Sequence, residues 1–507
     1  MSTANKVLKN TGFLYAKMGI TMFISLYTTR LVLNGLGAVD FGIFNVVGGA
    51  IAMLGFLHAA MAGATQRFMS FYEGKGELNK QKQIFNVSLV LHFFIALILG
   101  LVLLIAGYFF FNGVLNIPEA RIYAAKVVYT SLIVSTLFTV MSVPYEAVLN
   151  AHENMLYYSI VGVLESLLKL TVALVIVNYV GDKLELYGIL MACIPLVVLT
   201  IMRIYCHKKY RECVIAPKRF WNKLLMKEMA SFAGWNLLGN GSGLIGNYGN
   251  ALVVNHFFGA VVNAALGVAN QLNGQLMAFS NNMIKALNPV IVKKQGAGDQ
   301  KSMMYFSLLG SKMSFLILAF FAIPVIVETP YILKLWLKQI PEWTIIFLRL
   351  ALFQRLLEQL TVTLTTSLNA HGNIKGLNIS SLASNLLPLI VLYLLFVNGF
   401  PPYWLYIVTI ALMVVLGTGF KVYFCIKLCS LKLKDLFRIV ILPCVFVFTS
   451  AIVSGYLLCL GINEGLLRLV LVVLVSFVVF SISSYLVLNN KEKEVIIGLK
   501  DKIIKKK

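Results

Sequence analysis

Charge is what this 507-residue chain has least of. Only 12% of its residues are charged and 59% are hydrophobic, with a mean hydropathy of +0.85. A soluble globular protein carries about 25% charged residues. So little charge cannot cover so much apolar surface in water, which excludes a soluble protein and leaves an integral membrane protein of many spans. Acids are scarcer than bases, at 20 Asp and Glu against 43 Lys and Arg. The aspartates are Asp40, Asp182, Asp299, Asp435 and Asp501, all in expected loops or at helix ends. Seven cysteines, scattered through apolar runs and their ends, form no disulfide framework. Six histidines fall one per element, at His58, His92, His152, His207, His256 and His371. No phosphate-cradling loop, acidic pair or metal-spaced cluster occurs, so no ATP hydrolysis, metal or cofactor is expected and the chain reads as no enzyme. A cleavable signal peptide is not expected either, because the first apolar run is too long and lacks a small-residue cleavage site.

What is present is a succession of apolar runs long enough to cross about 30 Å of hydrocarbon. Fourteen are read, at roughly 11–33, 41–66, 85–111, 120–147, 154–179, 186–206, 227–257, 260–290, 303–327, 340–368, 376–398, 401–427, 436–459 and 464–488. Connections on one side hold 28 Lys and Arg and those on the other only Lys183, Lys334 and Lys338. The positive-inside rule then puts both termini in the cytoplasm and anionic lipids against the basic side. The net charge of +23 is spread through these short connections, so nucleic acid is not an expected partner. Trp336, Trp343 and Trp404 fall near the outer interface.

The chain repeats itself. LNAHEN (149–154) returns as LNAHGN (368–373), LVLNGLGAVD (31–40) resembles LVVNHFFGAVV (252–262), and EGKGE (73–77) resembles QGAGD (295–299). Three matches in one order at a nearly constant offset argue for duplication. Each copy holds six spans, so the halves share an orientation, the parallel-repeat plan of many transporters. The expected organisation is an N-terminal six-helix lobe at 1–206, a basic cytoplasmic linker at 207–226 and a C-terminal six-helix lobe at 227–430. Two additional helices follow at 431–488, then a basic tail at 489–507.

Ionisable residues inside spans are costly, at about 2.5–3.5 kcal/mol or more each. Those singled out are Lys17, Arg30, Arg121, Lys126, Lys169, Arg349 and Arg355. They suggest a hydrated cavity with positive walls. The plainer reading is snorkelling for Arg30 and Arg121. Lys17 and Arg30 are about 140° apart on a helical wheel, so they do not line one wall. Glu165 lies four residues before Lys169, and Glu358 three after Arg355, so structural ion pairs compete with ion coupling at both acids. Arg349 has no partner on its own helix and is the stronger ligand candidate. Asn236, Asn240, Asn247 and Asn250 share an arc of about 80° on span 7, and Asn263, Asn270, Asn273 and Asn281 repeat the pattern on span 8. Interhelical hydrogen bonding is the bland alternative to a wet, sugar-facing wall. Glycines 239, 241, 243 and 246 allow bending or close packing, and Pro144, Pro195, Pro324 and Pro388 are candidate hinges.

The stretches NTGFLYAKMGITMFISLYTTRLVLNGLG (10–37), FGIFNVVGGAIAMLGFL (41–57) and ATQRFMSF (64–71), with the two LNAH turns, give the chain a resemblance to a known group. It resembles the O-antigen-type polysaccharide-transporter flippases of the multidrug/oligosaccharidyl-lipid/polysaccharide (MOP) exporter superfamily, over about residues 5–430. The resemblance implies an all-α polytopic fold like that of the multidrug and toxin extrusion (MATE) transporters, with about fourteen transmembrane helices. It also implies a bacterial inner membrane and an undecaprenyl-pyrophosphate-linked glycan as cargo. Such a transporter is expected to work as a monomer, with H⁺ or Na⁺ as coupling ion and polysaccharide polymerase machinery nearby. The alternative within the superfamily is an ion-coupled multidrug antiporter, which typically needs membrane acids; no aspartate lies in any span here. A membrane glycan polymerase or acyltransferase would need a large extramembrane loop or an intramembrane His-Asp set, and neither is present.

Overall fold

The computed structural model describes residues 3–52, 55–114, 117–337, 339–489 and 492–493. Its described residues are helical almost throughout and contain no strand. The first helices are α1 (Thr3–Ala52), α2 (Gly55–Lys75), α3 (Leu78–Phe109), α4 (Ile122–Ala151), α5 (Met155–Asn178), α6 (Lys183–Lys209) and the short α7 (Pro217–Phe220). Next come α8 (Lys223–Gly296), α9 (Gln300–Val327), α10 (Thr329–Trp336), α11 (Thr344–Gln359), α12 (Val362–His371) and α13 (Lys375–Val397). The last are α14 (Trp404–Leu412), α15 (Gly419–Cys429), α16 (Leu433–Asp435), α17 (Leu442–Gly461) and α18 (Leu466–Val487). Ten helices among the described residues are long and apolar enough to cross a membrane.

Two of the helices are double. At 1.5 Å per residue, the 74 residues of α8 would run about 110 Å, far beyond one bilayer. Gly259 interrupts it with φ 76° and ψ −174°, and Gly37 interrupts α1 with φ 81° and ψ 166°. Both lie in a region of backbone space open essentially to glycine alone. These breaks fall between expected spans 7 and 8 and between spans 1 and 2. Expected span 10 is also divided, α11 ending at Gln359 and α12 starting at Val362, and a π-helical segment at Met413–Thr418 separates α14 from α15.

Two compact units emerge. The N-terminal unit comprises Lys9–Leu237 with Gly296–Gly298, and the C-terminal unit comprises Met1–Leu8, Leu238–Gln295 and Asp299–Lys507. In the N-terminal unit α4 packs along α6, α3 and α2. Lipid is as apolar as leucine, so helices in a membrane associate through close packing and hydrogen bonds. Gly188 of α6 accordingly sits where a Cβ would lie 3.0 Å from the Val128 backbone, and the Tyr129 hydroxyl donates to the Leu103 carbonyl at 2.6 Å. In the C-terminal unit α9 is central. Its most apolar stretch is 72% buried, while no other candidate span exceeds 39%. It packs against α11, α12, α17 and α18.

The repeat seen in the sequence is a repeat of backbone geometry. Left-handed φ values recur at Gly37 and Gly259, at Gly76 (71°) and Gly298 (77°), and at Glu153 (54°) and Gly372 (99°). The repeated hexapeptide is a helix terminator. In LNAHEN, the Glu153 N–H donates to the Asn150 carbonyl and the Asn154 N–H to the Leu149 carbonyl, the paired bonds of a Schellman end. In LNAHGN the Gly372 N–H donates to the Leu368 carbonyl, the single-bond version of the same stop. Asn154 then accepts from the Tyr157 N–H to cap α5, so six residues end one helix and begin the next. A matching pair was not read from the sequence: the Cys206 thiol faces the Tyr145 carbonyl and the Cys425 thiol faces the Leu364 carbonyl, 61 residues apart in both units.

Candidate functional site

The candidate cations of the sequence separate into compensated and uncompensated groups. Arg121 is fully engaged. Its guanidinium donates to both carboxylate oxygens of Asp40 (2.8 and 2.6 Å) and to both of Asp182 (2.6 and 3.2 Å). Asp182 in turn caps α6 through the Leu184 and Glu185 N–H groups, and the Arg121 guanidinium holds its carboxyl below the usual range. Two acids from expected loops thus neutralise Arg121 and tie α1 to the starts of α4 and α6. Arg349 is also engaged. Its Nε and Nη2 donate to the Ile326 and Val327 carbonyls at 2.9 and 3.3 Å, the last residues of α9. Those carbonyls have no partner within their own helix, so Arg349 serves as a C-cap contributed by α11.

Lys169 pairs with Glu165 at 2.6 Å and Arg355 with Glu358 at 2.7 Å, each pair about a third or more exposed. The i,i+4 and i,i+3 spacings are thus used for ion pairs. Lys17 lies beside Gly162 of α5, where a side chain would collide with the lysine, and its Nζ is 4.3 Å from the centroid of the Tyr158 ring. Tyr158 also senses the charges of Glu146 and Glu165. Helices α1, α4 and α5 therefore bring Lys17, Glu146, Tyr158 and Glu165 into one electrostatic cluster inside the N-terminal unit. Arg30 and Lys126 are exposed, Lys126 with its Nζ 5.9 Å from the Phe111 ring.

Sequence reasoning missed several charges. Lys312 in α9 is buried and pairs with Glu492 at 2.9 Å, with exposures of 3% and 5%. Glu328, fully buried at the end of α9, receives two hydrogen bonds from Arg468 of α18 at 2.7 and 3.0 Å. Lys421 of α15 interacts with Glu358, adding a third charge to the Arg355–Glu358 pair. Each of these cations is a Lys or Arg inside an apolar run, the signal that found the others.

The two asparagine stripes both lie on α8, on either side of Gly259. Asn240, Asn247, Asn270 and Asn281 are exposed; Asn236, Asn250 and Asn263 are half-buried; Asn273 is buried. Before Gly259, α8 has a second exposed face made of Leu238, Ile245, Tyr248 and Leu252, each 50% exposed or more. One exposed face is thus apolar and suits hydrocarbon, while the asparagine face suits water. After Gly259, Gln271 and Gln275 join Asn270 and Asn281 in exposure, and Gly267 and Gly274 between them would meet nothing within 4 Å if given a Cβ. The side-chain Oδ1 atoms of Asn250 and Asn273 are buried without a hydrogen-bond partner. Hydrogen-bond glue across the helices of this unit is supplied by other residues: Ser280 with Ser314 and Gln359, Ser311 with Thr363, Thr366 with Asn288, and Asn385 with Ser242. The glycines serve close packing, since a Cβ on Gly246 would lie 2.7 Å from the Asn385 carbonyl oxygen of α13. Pro144, Pro195, Pro324 and Pro388 all sit inside helices, and the sharp breaks fall at Gly37 and Gly259 instead.

A multi-pass chain, helical almost throughout its described residues, with repeated backbone breaks and charged clusters within its spans, has the build of a membrane transporter, and solved structures share it. A multidrug resistance MATE-family transporter of the MOP superfamily, solved outward-facing, superposes with a TM-score of 0.71 at 15% identity, covering 85% of this chain and 99% of that one. A MATE transporter in the bent conformation gives 0.72 at 15% identity, covering 85% and 98%. A MOP superfamily transporter from Pyrococcus furiosus, described as having a binding pocket of reverse polarity, gives 0.69 at 13% identity, covering 86% and 99%. These likenesses establish the MOP-type fold. A search of curated proteins found no match. The chain belongs to the polysaccharide biosynthesis protein family, which matches it over residues 7–295.

Proposed function

We propose that this transporter flips a lipid-linked oligosaccharide, carried on undecaprenyl pyrophosphate, from the inner to the outer leaflet of a bacterial cytoplasmic membrane by alternating access. Both termini and the 207–226 connection face the cytoplasm in this reading. The observation that carries it is the set of exposed amide side chains along α8. A sugar headgroup moved through hydrocarbon would leave many hydroxyls unpaired, at several kcal/mol each. Asn240, Asn247, Asn270 and Asn281, with Gln271 and Gln275, offer donors and acceptors in their place. Lys17, Arg30 and Lys126, with Lys421 beside Glu358, are the cations proposed to meet the diphosphate. Glu165 and Glu358, each beside a lysine or arginine, remain the candidates for H⁺ or Na⁺ coupling.

The second reading is an ion-coupled drug antiporter, favoured by the MATE-type neighbours. Deleting the gene separates the two. Flipping predicts lipid-linked glycan trapped on the inner leaflet and lost surface polysaccharide, restored by the wild-type gene but not by a variant with Asn240, Asn247, Asn270 and Asn281 changed to Leu. Unchanged glycan with new sensitivity to cationic drugs would establish the antiporter instead.

A further inference from the structure

The chain between α6 and α8 is short, strongly basic and rigidly held. Residues 207–227 contain seven Lys and Arg and a single acid, Glu212. That acid is turned inward: Glu212 is 3% exposed and its Oε1 lies 2.5 Å from His152 Nε2. Further along, the Asn86 side chain donates to the Val214 carbonyl and accepts from the Ala216 N–H, both at 2.8 Å, and Asn222 donates to Gln83 at 3.1 Å. Tyr210 stacks on His152 with centroids 4.2 Å apart. A loop with this much bonding to α3 and to the α4–α5 turn does not hang in solvent. What it presents outward is apolar and cationic together. Val214, Ile215, Trp221 and Leu224 are 43%, 46%, 43% and 68% exposed, interleaved with exposed Lys218, Arg219 and Lys223.

We propose that segment 210–224 is a preformed anchor that docks on the anionic headgroup layer of the membrane the protein spans, seating Trp221 and Leu224 at the acyl boundary and Lys218, Arg219 and Lys223 among the phosphates. The occupant follows from position and charge. The segment joins the ends of two membrane-crossing helices on one side, so the bilayer surface is beside it. Tryptophan, large apolar side chains and basic residues are the composition of an interfacial segment, and anionic lipid attracts each Lys or Arg near its surface. With Glu212 spent on His152, nothing acidic within the segment opposes that attraction. The anchor fixes the N-terminal unit at the surface through α3 and the α4–α5 turn.

The test uses the full-length protein reconstituted in phosphatidylcholine vesicles with or without phosphatidylglycerol. Emission of Trp221 is isolated as the difference between wild type and Trp221→Phe. Lipid carrying a headgroup-level spin label should quench it, and more strongly in the phosphatidylglycerol vesicles. In a Lys218→Gln/Arg219→Gln/Lys223→Gln variant the difference between the two compositions should vanish, as it should for wild type in high salt. Quenching of Trp221 by aqueous iodide alone, with none from lipid in either vesicle, would overturn the proposal and mark the face as one for a soluble partner. Equal lipid quenching in both compositions would overturn the anionic part.

Discussion

Raising the pH above neutrality should loosen the clasp around His152, and the size of the effect follows from its neighbours. His152 lies 3.2 Å from Glu73, in the last turn of α2, and 2.5 Å from Glu212, with Tyr210 stacked on its ring. Burial alone would lower its pKa, but hydrogen bonds to Glu212 and Glu73, and the charges of both, raise it from 6.5 to about 9. Tyr210 is pushed above its usual range by burial and does not ionise in this interval. The folded clasp thus keeps a proton that the open chain begins to release near pH 6.5. Its stabilisation is fully present below that pH and is lost as the pH rises through about 9. A gap of about 2.5 units at about 1.36 kcal/mol each is about 3–4 kcal/mol, or roughly three-hundredfold in the opening equilibrium. Hydrogen–deuterium exchange of residues 210–222, corrected for the intrinsic rise with pH, reads this directly. His152→Gln, which keeps a donor without the charge, should open the segment already at pH 6.5 and flatten the profile. A steep rise surviving in His152→Gln, or none in the wild type, would refute the assignment to His152.

Other expectations follow from single contacts. Gly259→Ala and Gly37→Ala should each cost about 1–3 kcal/mol through backbone strain alone, although a Cβ at either position meets nothing within 4 Å. Gly234→Ala, inside the helical run of α8 and equally open, should be neutral or stabilise by up to about 1 kcal/mol; thermal unfolding in detergent ranks the three. Arg468→Leu leaves the Glu328 carboxylate buried without its partner and should destabilise by about 3–5 kcal/mol. Wild-type unfolding of that variant would exclude a structural role for the pair. Arg349→Lys should lower thermal stability through the lost cap while leaving glycan display per folded molecule unchanged. Loss of display at unchanged stability would make Arg349 a ligand contact after all.

The membrane fold was legible because its signals are local. A run of some twenty apolar residues declares a span wherever it packs, and LNAHEN and LNAHGN carry their helix-ending geometry within six residues. The one-residue slip in the other repeat was also on the page: Asn34 aligns with Asn255, but Gly37 aligns with Gly259, so the backbone break is the element held in common. The i,i+4 pair of Lys169 with Glu165 was readable for the same local reason. Partners distant in sequence were not. Nothing near Arg121 in the chain announces Asp40 or Asp182, 81 and 61 residues away. Nothing near Arg349 announces that the end of α9 needs its donors. Lys312, Lys421 and Arg468 could have been noticed as cations within apolar runs, but their acids, Glu492, Glu358 and Glu328, are known only from packing.

Those distant partners change how the positive balance of the membrane charges is understood. Arg121, Lys169, Arg355, Lys312 and Arg468 each have a carboxylate within 3 Å, and Arg349 is occupied by carbonyls. Arg121, Arg349, Lys312 and Arg468 therefore hold separate segments together, while Lys169 and Arg355 pair within their own helices. The two deepest pairs, Lys312–Glu492 and Arg468–Glu328, join α9 at separate points to α18 or the chain beyond it. Between them Phe320 stacks on Phe477 at 4.0 Å, and Gly455 of α17 lets Val327 approach to where a Cβ would be 3.0 Å away. Breaking either pair would strand a charge in a low-dielectric interior, so α17 and α18 have no inexpensive way to separate from α9. Helices α17 and α18 therefore belong to the C-terminal unit as fixed parts of it. Any motion that serves transport has to carry them along with α9.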